Sequence, residues 1–341
     1  MAARLKDIAR DLNLSVVTIS KVLRDHPDIS AETRERVLKR MKELNYRPNL
    51  AARALVTGRS SIAGLVVPDL VHPFFGQVAK AISNVLRKRG YSLVLSSSED
   101  DPELEQQEID QLLARRVDVL IVASTQSTVE SFRRLEEQKV PYVLIDRRFD
   151  GLPANFVGVD DEAVGALATT HLVEVGCRRI AHIGGPDVST ATGRADGFRL
   201  ALRANRLSSF PEYVVMREHG DDAGEASGYE AMKQLLDLNH PPDGVFCYND
   251  PTAMGAMKAV LEAGLRVPDD VAIVGCGNVA YADFLRVPLT SVDQQSDAIG
   301  DRTAHLALAL LGSGAEAKAK TVLLEPKLVV RASSMRGRRA G

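Results

Sequence analysis

Two kinds of hydrophobic spacing divide the chain. Up to about residue 59, apolar positions recur at three and four. From Ile62 onward, short continuous apolar runs alternate with longer amphipathic stretches. In the first segment Leu5, Ile8, Ala9 and Leu12 fall on one helical face. Asn13 and Leu14 make a turn, and Ile19, Val22 and Leu23 line one face of a second helix. Ser15 stands where that helix needs a side-chain acceptor for an orphan N–H. Ser30 can cap a third helix whose stripe is Val37, Leu38, Met41 and Leu44, and Pro48 bars its continuation. Two short helices joined so tightly bury little surface alone, so the third is predicted to close over them. Asn49 to Gly58 then predicts one more helix, too short to be stable in isolation.

The remainder has another period. Apolar runs at 62–69, 91–97, 118–124, 141–146, 179–185, 244–250 and 271–277 are separated by amphipathic stretches such as Phe75–Arg89, Glu103–Arg115 and Val129–Gln138. Alternation of this kind predicts parallel sheets covered by helices on both faces, whose buried strands lack polar interruption. Two blocks of similar length meet near Asp160. The fold class is therefore α/β: an all-α helix-turn-helix head on a core of two doubly wound parallel-sheet subdomains. Ligands in such sheets sit beyond the carboxyl ends of the strands. The polar residues there are Asp69, Ser96, Ser124, Asp146, Asn249, Gly277 and Gln294.

Charge sharpens the division. The 341 residues carry a net −2, but residues 1–59 carry +6 and the rest −8. A basic head on an acidic body points to a polyanion partner for the head alone. Cys177, Cys247 and Cys276 are odd in number and widely spaced in apolar surroundings, which predicts buried, reduced thiols rather than disulfides or a metal site. No apolar leader follows Met1 and no run reaches membrane-spanning length, so a cytoplasmic location is expected.

In a helix-turn-helix the second helix enters the major groove with its first side chains on base edges. Val16 and Val17 hold that place and suit a thymine methyl, while Lys21 can reach a guanine edge or a phosphate. Thr18, Ser20 and Arg24 are phosphate anchors. Leu55, in the short helix with Ala51, Ala52 and Ala54, is either a minor-groove wedge or part of an ordinary linker.

The run LKDIARDLNLSVVTISKVL at Leu5–Leu23, then ISAETRERVLKRMKELNYRPN at Ile29–Asn49 and AARALVTGRSSIAGLVVPD at Ala51–Asp69, resembles the LacI/GalR (lactose-repressor) family of bacterial transcription regulators. The similarity continues to about residue 332. It implies a DNA-contacting set of Leu5, Ser15, Val16, Val17, Thr18, Ser20, Lys21, Arg24, Asn49, Ala52, Arg53 and Leu55, with Leu55 as the wedge. It also implies a homodimer or higher oligomer on a pseudo-palindromic operator, and a periplasmic-binding-protein-like core closing on a small, often sugar-like effector. The organisation it implies is a head at 1–46, a hinge at 47–59 and a core at 60–332. Subdomain 1 is 60–160 plus 292–319, subdomain 2 is 161–291 plus 320–332, and 333–341 is a disordered tail. His72, Phe74, Phe75, Asp146, Arg147, Arg194, Asn249 and Gln294 match effector-contacting positions; a carboxylate or guanidinium can hold a vicinal diol by two bonds. There are departures. Arg24 stands where the family has Asn, Gly277 stands where it has a pocket Asp, and 219–224 lacks the usual aromatic.

Other chemistry finds little support. Gly275–Ala280 mimics a dinucleotide fingerprint after a strand, but Pro288 breaks the segment that would have to be its helix, which disfavours an oxidoreductase. There is no phosphate-binding Gly-rich Lys loop, no nucleophile elbow and no metal spacing among the histidines. No enzyme activity, cofactor or metal is expected. A sugar-binding transport protein is the other alternative, and it predicts a leader and no basic head.

Overall fold

The structure is a computed structural model that describes residues 4–23, 26–46, 58–126, 128–149, 151–216, 224–313 and 318–336. They form two compact units, 1–60 and 61–341.

The head holds α1 (Leu5–Asp11), α2 (Val16–Leu23) and α3 (Ala31–Glu43). Asn13 takes a left-handed φ of 52° between α1 and α2, a conformation its short polar side chain tolerates. The Ser15 hydroxyl accepts the Thr18 N–H at 3.0 Å and Ser30 accepts that of Thr33 at 3.2 Å, so both predicted caps are present. Ile8, Ala9, Ile19, Val22, Val37 and Met41 form the core. One expectation changes. Leu38 is exposed, because it is rotated one helical step off the Val37–Met41–Leu44 stripe. Helix α3 closes with Leu44 as its C-cap and Asn45 left-handed.

The larger unit contains two six-stranded sheets. The first runs β2 (Ser92–Ser97), β1 (Ile62–Val67), β3 (Val119–Val122), β4 (Tyr142–Ile145), β5 (Phe156–Val159) and β11 (Thr321–Leu324), all parallel. The second runs β7 (Val214–Val215), β6 (Ile180–Ile183), β8 (Gly244–Cys247), β9 (Ala272–Cys276), β10 (Thr290–Asp293) and β12 (Lys327–Val329), with only β12 antiparallel. Helices α4 (Pro73–Lys88), α5 (Pro102–Ala114), α6 (Glu130–Glu137) and α11 (Ser296–Ser313) accompany the first sheet. Helices α7 (Asp161–Glu174), α8 (Ser189–Ala204), α9 (Glu225–Leu236) and α10 (Asp250–Glu262) accompany the second. All seven predicted apolar runs are strands. Five more strands were not anticipated: the buried β5 and β10, the two-residue β7, and the half-exposed β11 and β12.

The chain passes between the lobes three times, at 159–161, 293–296 and 324–327. The third passage corrects the expected boundary. Residues 321–324 pair with β5 in the first lobe, and only from Lys327 does the chain join the second. The start of the expected disordered tail is corrected too, while 337–341 lie outside the described residues. Ser333 and Ser334 are fully buried; Ser333 donates to the Ile273 carbonyl at 2.6 Å, and Ser334 meets Thr290 and His171 at 2.7 Å each. Burying backbone here is tolerable because its polar groups find partners.

His182 lies fully buried in the second lobe, stacked between Phe198 and Phe246, with Nδ1 3.0 Å from the Phe246 carbonyl. Nε2 has no hydrogen-bond partner among the described residues. Burial pushes its pKa down to about 4. A base whose folded pKa is depressed supplies stability above its unfolded pKa, and that stability disappears as pH falls through the folded value. The window is therefore pH 6.5 down to about 4, and the loss is about 3 kcal/mol. His182→Gln, which keeps a donor but does not titrate, is expected to remove that part of the acid loss. Urea midpoints at the two ends of the window measure it; an unchanged acid slope would show that His182 is not the group responsible.

Candidate functional site

A cleft of about 530 Å³, open mouth included, lies at the carboxyl ends of both sheets. All eight residues expected to contact an effector line it: His72, Phe74, Phe75, Asp146, Arg147, Arg194, Asn249 and Gln294. Of the other strand-end polar residues, Asp69 lines it as well, while Ser96, Ser124 and Gly277 do not. Tyr248, Asp100, Pro68 and Pro186 complete the wall and were not singled out. Tyr248 was within reach of the strand-end rule, since it directly follows β8.

The first lobe supplies a rigid basic–acidic corner. Asp146 follows β4 with φ 61°, which aims its side chain off the strand direction. Burial pushes its carboxyl upward in pKa, opposed by Arg194 and Arg147. Arg147 is buried; Nη1 donates to Asp100 at 2.9 Å and to the Ser124 carbonyl at 3.3 Å, while Nε lies 4.0 Å from Asp146. Behind Ser124 is Glu105 of α5, fully buried, which accepts from the Ser124 hydroxyl at 2.7 Å, the Thr125 hydroxyl at 2.9 Å and the Thr125 N–H. Ser124 therefore serves the site through its carbonyl rather than its hydroxyl. Nothing in the local pattern marks Glu105, which looks like any other acidic residue of an amphipathic helix.

The second lobe supplies Arg194, whose side chain is only 3% exposed. Nε donates to Asp161 at 2.9 Å, Nη1 to the Tyr248 carbonyl at 2.7 Å, and the guanidinium lies 4.6 Å from the centre of the Tyr248 ring. Burial, partly opposed by Arg194, raises Asp161 to about 7. The pair exists because α7 and α8 approach backbone to backbone. Gly165 and Gly197 sit at the contact, where a Cβ would overlap the carbonyl oxygens of Arg194 and Glu162 respectively.

Polar contacts join the two lobes at the cleft and beside it. Asn249 caps α10 by accepting the Thr252 N–H at 2.8 Å through Oδ1, and its Nδ2 lies 3.1 Å from His72 Nε2. The Arg148 N–H donates to the Ser189 hydroxyl at 3.0 Å. Gln294, at a crossover between the lobes, is buried, and its Nε2 has no hydrogen-bond partner among the described residues. Gly277 adopts φ +128°, a region closed to other side chains without strain, and its Cβ direction points toward Asp250. Asp250 is itself buried, bonded to Val279 N–H and the Ser291 hydroxyl, and raised to about 6 by burial. The missing carboxylate at 277 thus goes with a local backbone that only glycine adopts readily.

On the head, Val16 is 45% and Val17 62% exposed, so neither is needed for the core. Ser20 is half-buried. Thr18 and Ser15 bond each other's hydroxyls at 2.9 Å within the α2 cap, and Leu5 packs against the edge of the core. Arg24, Asn49, Ala52, Arg53 and Leu55 lie outside the described residues. No helix among the described residues is long and apolar enough to cross a membrane.

Residues 4–49 match the family described as bacterial regulatory proteins, lacI family, and residues 169–334 match the periplasmic binding protein-like domain. The chain is 32% identical over 338 residues to the HTH-type transcriptional repressor PurR of Haemophilus influenzae, covering 97% of this chain and 98% of that protein. The chain belongs to the LacI family. This LacI-family regulator is also 34% identical over 293 residues to the ribose operon repressor of Halalkalibacterium halodurans, covering 85% of each. Among solved structures, it is similar to the Lac repressor dimer bound to operator and the anti-inducer ONPF, with TM-score 0.87, 28% identity, and coverage of 98% of this chain and 100% of that one. The regulator CelR in complex with cellobiose gives TM-score 0.74 and 29% identity, covering 97% of this chain and 99% of that one.

Proposed function

We propose that this LacI-family chain is a repressor that grips operator DNA as a homodimer in the cytoplasm and reports a small, hydroxyl-rich effector, probing carbohydrate status. The observation that carries the reading is that the eight residues matching effector-contacting positions all line one cleft between two lobes. Asp146, Arg147 and Arg194 offer a carboxylate and the remaining N–H donors of two anchored guanidiniums beside the aromatic surfaces of Phe74, Phe75 and Tyr248. That mixture suits a sugar ring, which presents hydroxyl edges and C–H faces together. Val16, Val17 and Lys21 read bases, Ser15, Thr18, Ser20 and Arg24 fix the register, and Leu55 wedges the minor groove with Asn49, Ala52 and Arg53 beside it.

The mechanism is linkage. An effector that prefers one disposition of the lobes shifts operator affinity by its differential binding energy, typically about 1–3 kcal/mol. The test has two steps. A melting screen against sugars and central metabolites is expected to return a compound that stabilises the chain by about 2.7 kcal/mol at a hundred times its Kd. Genomic fragments selected on the purified protein, with and without that compound, are then expected to share one pseudo-palindrome whose affinity the compound changes. Absence of any preferred fragment at moderate ionic strength would refute the repressor reading; a preferred fragment indifferent to every stabilising compound would refute the effector reading.

A further inference from the structure

Lys21 does not stand free on the face that presents Val16 and Val17. Its Nζ meets Asp28 Oδ2 at 3.1 Å, with the two side chains 35% and 58% exposed. The same oxygen lies 3.3 Å from His26 Nδ1. Asp28 is held in the turn between α2 and α3 by several ties. The His26 N–H donates to the Lys21 carbonyl at 3.1 Å, the Ile29 N–H to the His26 carbonyl at 3.3 Å, and Arg34 Nη2 to that same carbonyl at 3.1 Å. Pro27 restricts the backbone between them. The hydrogen bond from Lys21 holds the Asp28 carboxyl below its usual range, so it is ionised at neutral pH. A carboxylate is thus fixed beside the one described cation of the recognition helix α2.

We propose that Asp28 is a specificity-determining residue that restrains Lys21 and keeps sequence-independent attraction to DNA low. The inference rests on the reading that Lys21 lies on the DNA-facing side. On arbitrary duplex, Lys21 neutralises a phosphate at the expense of its bond to Asp28, whose carboxylate also repels the phosphates. On a matching operator the exchange is compensated by a guanine edge, which offers two acceptors in fixed geometry. Asp28 therefore weakens wrong sequences more than right ones, a repulsive element of the kind specificity commonly requires.

The experiment uses the full chain and a mixed-sequence duplex of about 30 base pairs, followed by fluorescence anisotropy from about 50 to 200 mM salt, where phosphate contacts dominate binding. Asp28→Asn is expected to tighten binding about two- to fivefold at low salt, the range set by one exposed ion pair. It is also expected to steepen the logarithmic salt slope by up to about 0.9, one phosphate contact. In a Lys21→Ala background the same substitution is expected to give neither gain. Lys21→Ala alone is expected to weaken binding. No gain with Asp28→Asn, or an equal gain without Lys21, overturns the restraint. No effect of Lys21→Ala on affinity or slope overturns it through its premise, by removing Lys21 from the DNA face. Asp28→Ser, another turn-forming residue, repeats the test independently, with melting curves confirming that each head is folded.

Discussion

Arg194→Ala is expected to lower the unfolding free energy by about 3 kcal/mol, the lower end of what breaking a buried ion pair costs. The substitution leaves Asp161, with its side chain 14% exposed, without its partner, and the Tyr248 carbonyl without its donor. The lower end applies because Asp161, already at about 7, can escape its charge by taking a proton. The pH dependence has a definite sign. A carboxyl whose folded pKa exceeds its unfolded 3.8 supplies stability at low pH that disappears as pH rises through the folded value. Removing the guanidinium raises that value further, so the deficit of the variant shrinks on acidification and grows above neutrality. Urea unfolding at several pH values measures this. The same variant is expected to lose the melting shift given by any compound from the effector screen while still binding DNA. Arg194→Lys keeps a charge without the planar fork, so partial recovery of stability without recovery of the melting shift is expected. A destabilisation well under 1 kcal/mol, with the compound's melting shift intact, would remove Arg194 from both roles.

Gly197→Ala is expected to be at least as damaging, about 3 kcal/mol or more, at the upper end of overpacking effects. The added methyl would overlap the Glu162 carbonyl oxygen and come within 2.8 Å of the Ala166 nitrogen. Both are backbone atoms inside α7, so no rotamer change relieves the contact. The helices must separate, and separation pulls Arg194 away from Asp161. Chemical denaturation is expected to show a lowered midpoint, together with a weakened response to any effector. Gly76→Ala provides the contrast. It sits in α4 with open space around its Cβ direction, and is expected to stabilise by about 0.5–1 kcal/mol through helix propensity alone. If both substitutions behaved alike, helix packing would not be what positions Arg194.

How much of this was legible beforehand follows from periodicity. A central parallel strand is buried on both faces, so IAGLVV or VLIV declares itself as an unbroken apolar run. Edge strands do not. β11 alternates exposed and half-buried residues, and β7 is two residues long. Helices were expected over both sheets, but α7 of the second lobe has no clear stripe to mark it. α7 buries Val164, Gly165, Ala168, Thr169, His171 and Leu172 around much of its circumference, which leaves little amphipathic contrast. In the cleft, the rule that ligands sit beyond strand ends located Asp69, Asp146, Asn249 and Gln294, whereas Ser96 lies on an edge strand and Gly277 turns toward Asp250. Asp161 and Glu105 were invisible, because an acidic residue near the start of a helix is commonplace and only three-dimensional proximity couples it to an arginine.

Local composition determined the head, its caps, seven strands of the two sheets and the residue types facing the cleft, since each depends on spacing within a few positions along the chain. Tertiary structure alone decided which lobe the last strands join, that Ser333 and Ser334 are buried, and how Arg194 and Arg147 are held. Those outcomes depend on charges and backbones far apart in sequence being brought within a few ångströms, and no periodicity records that.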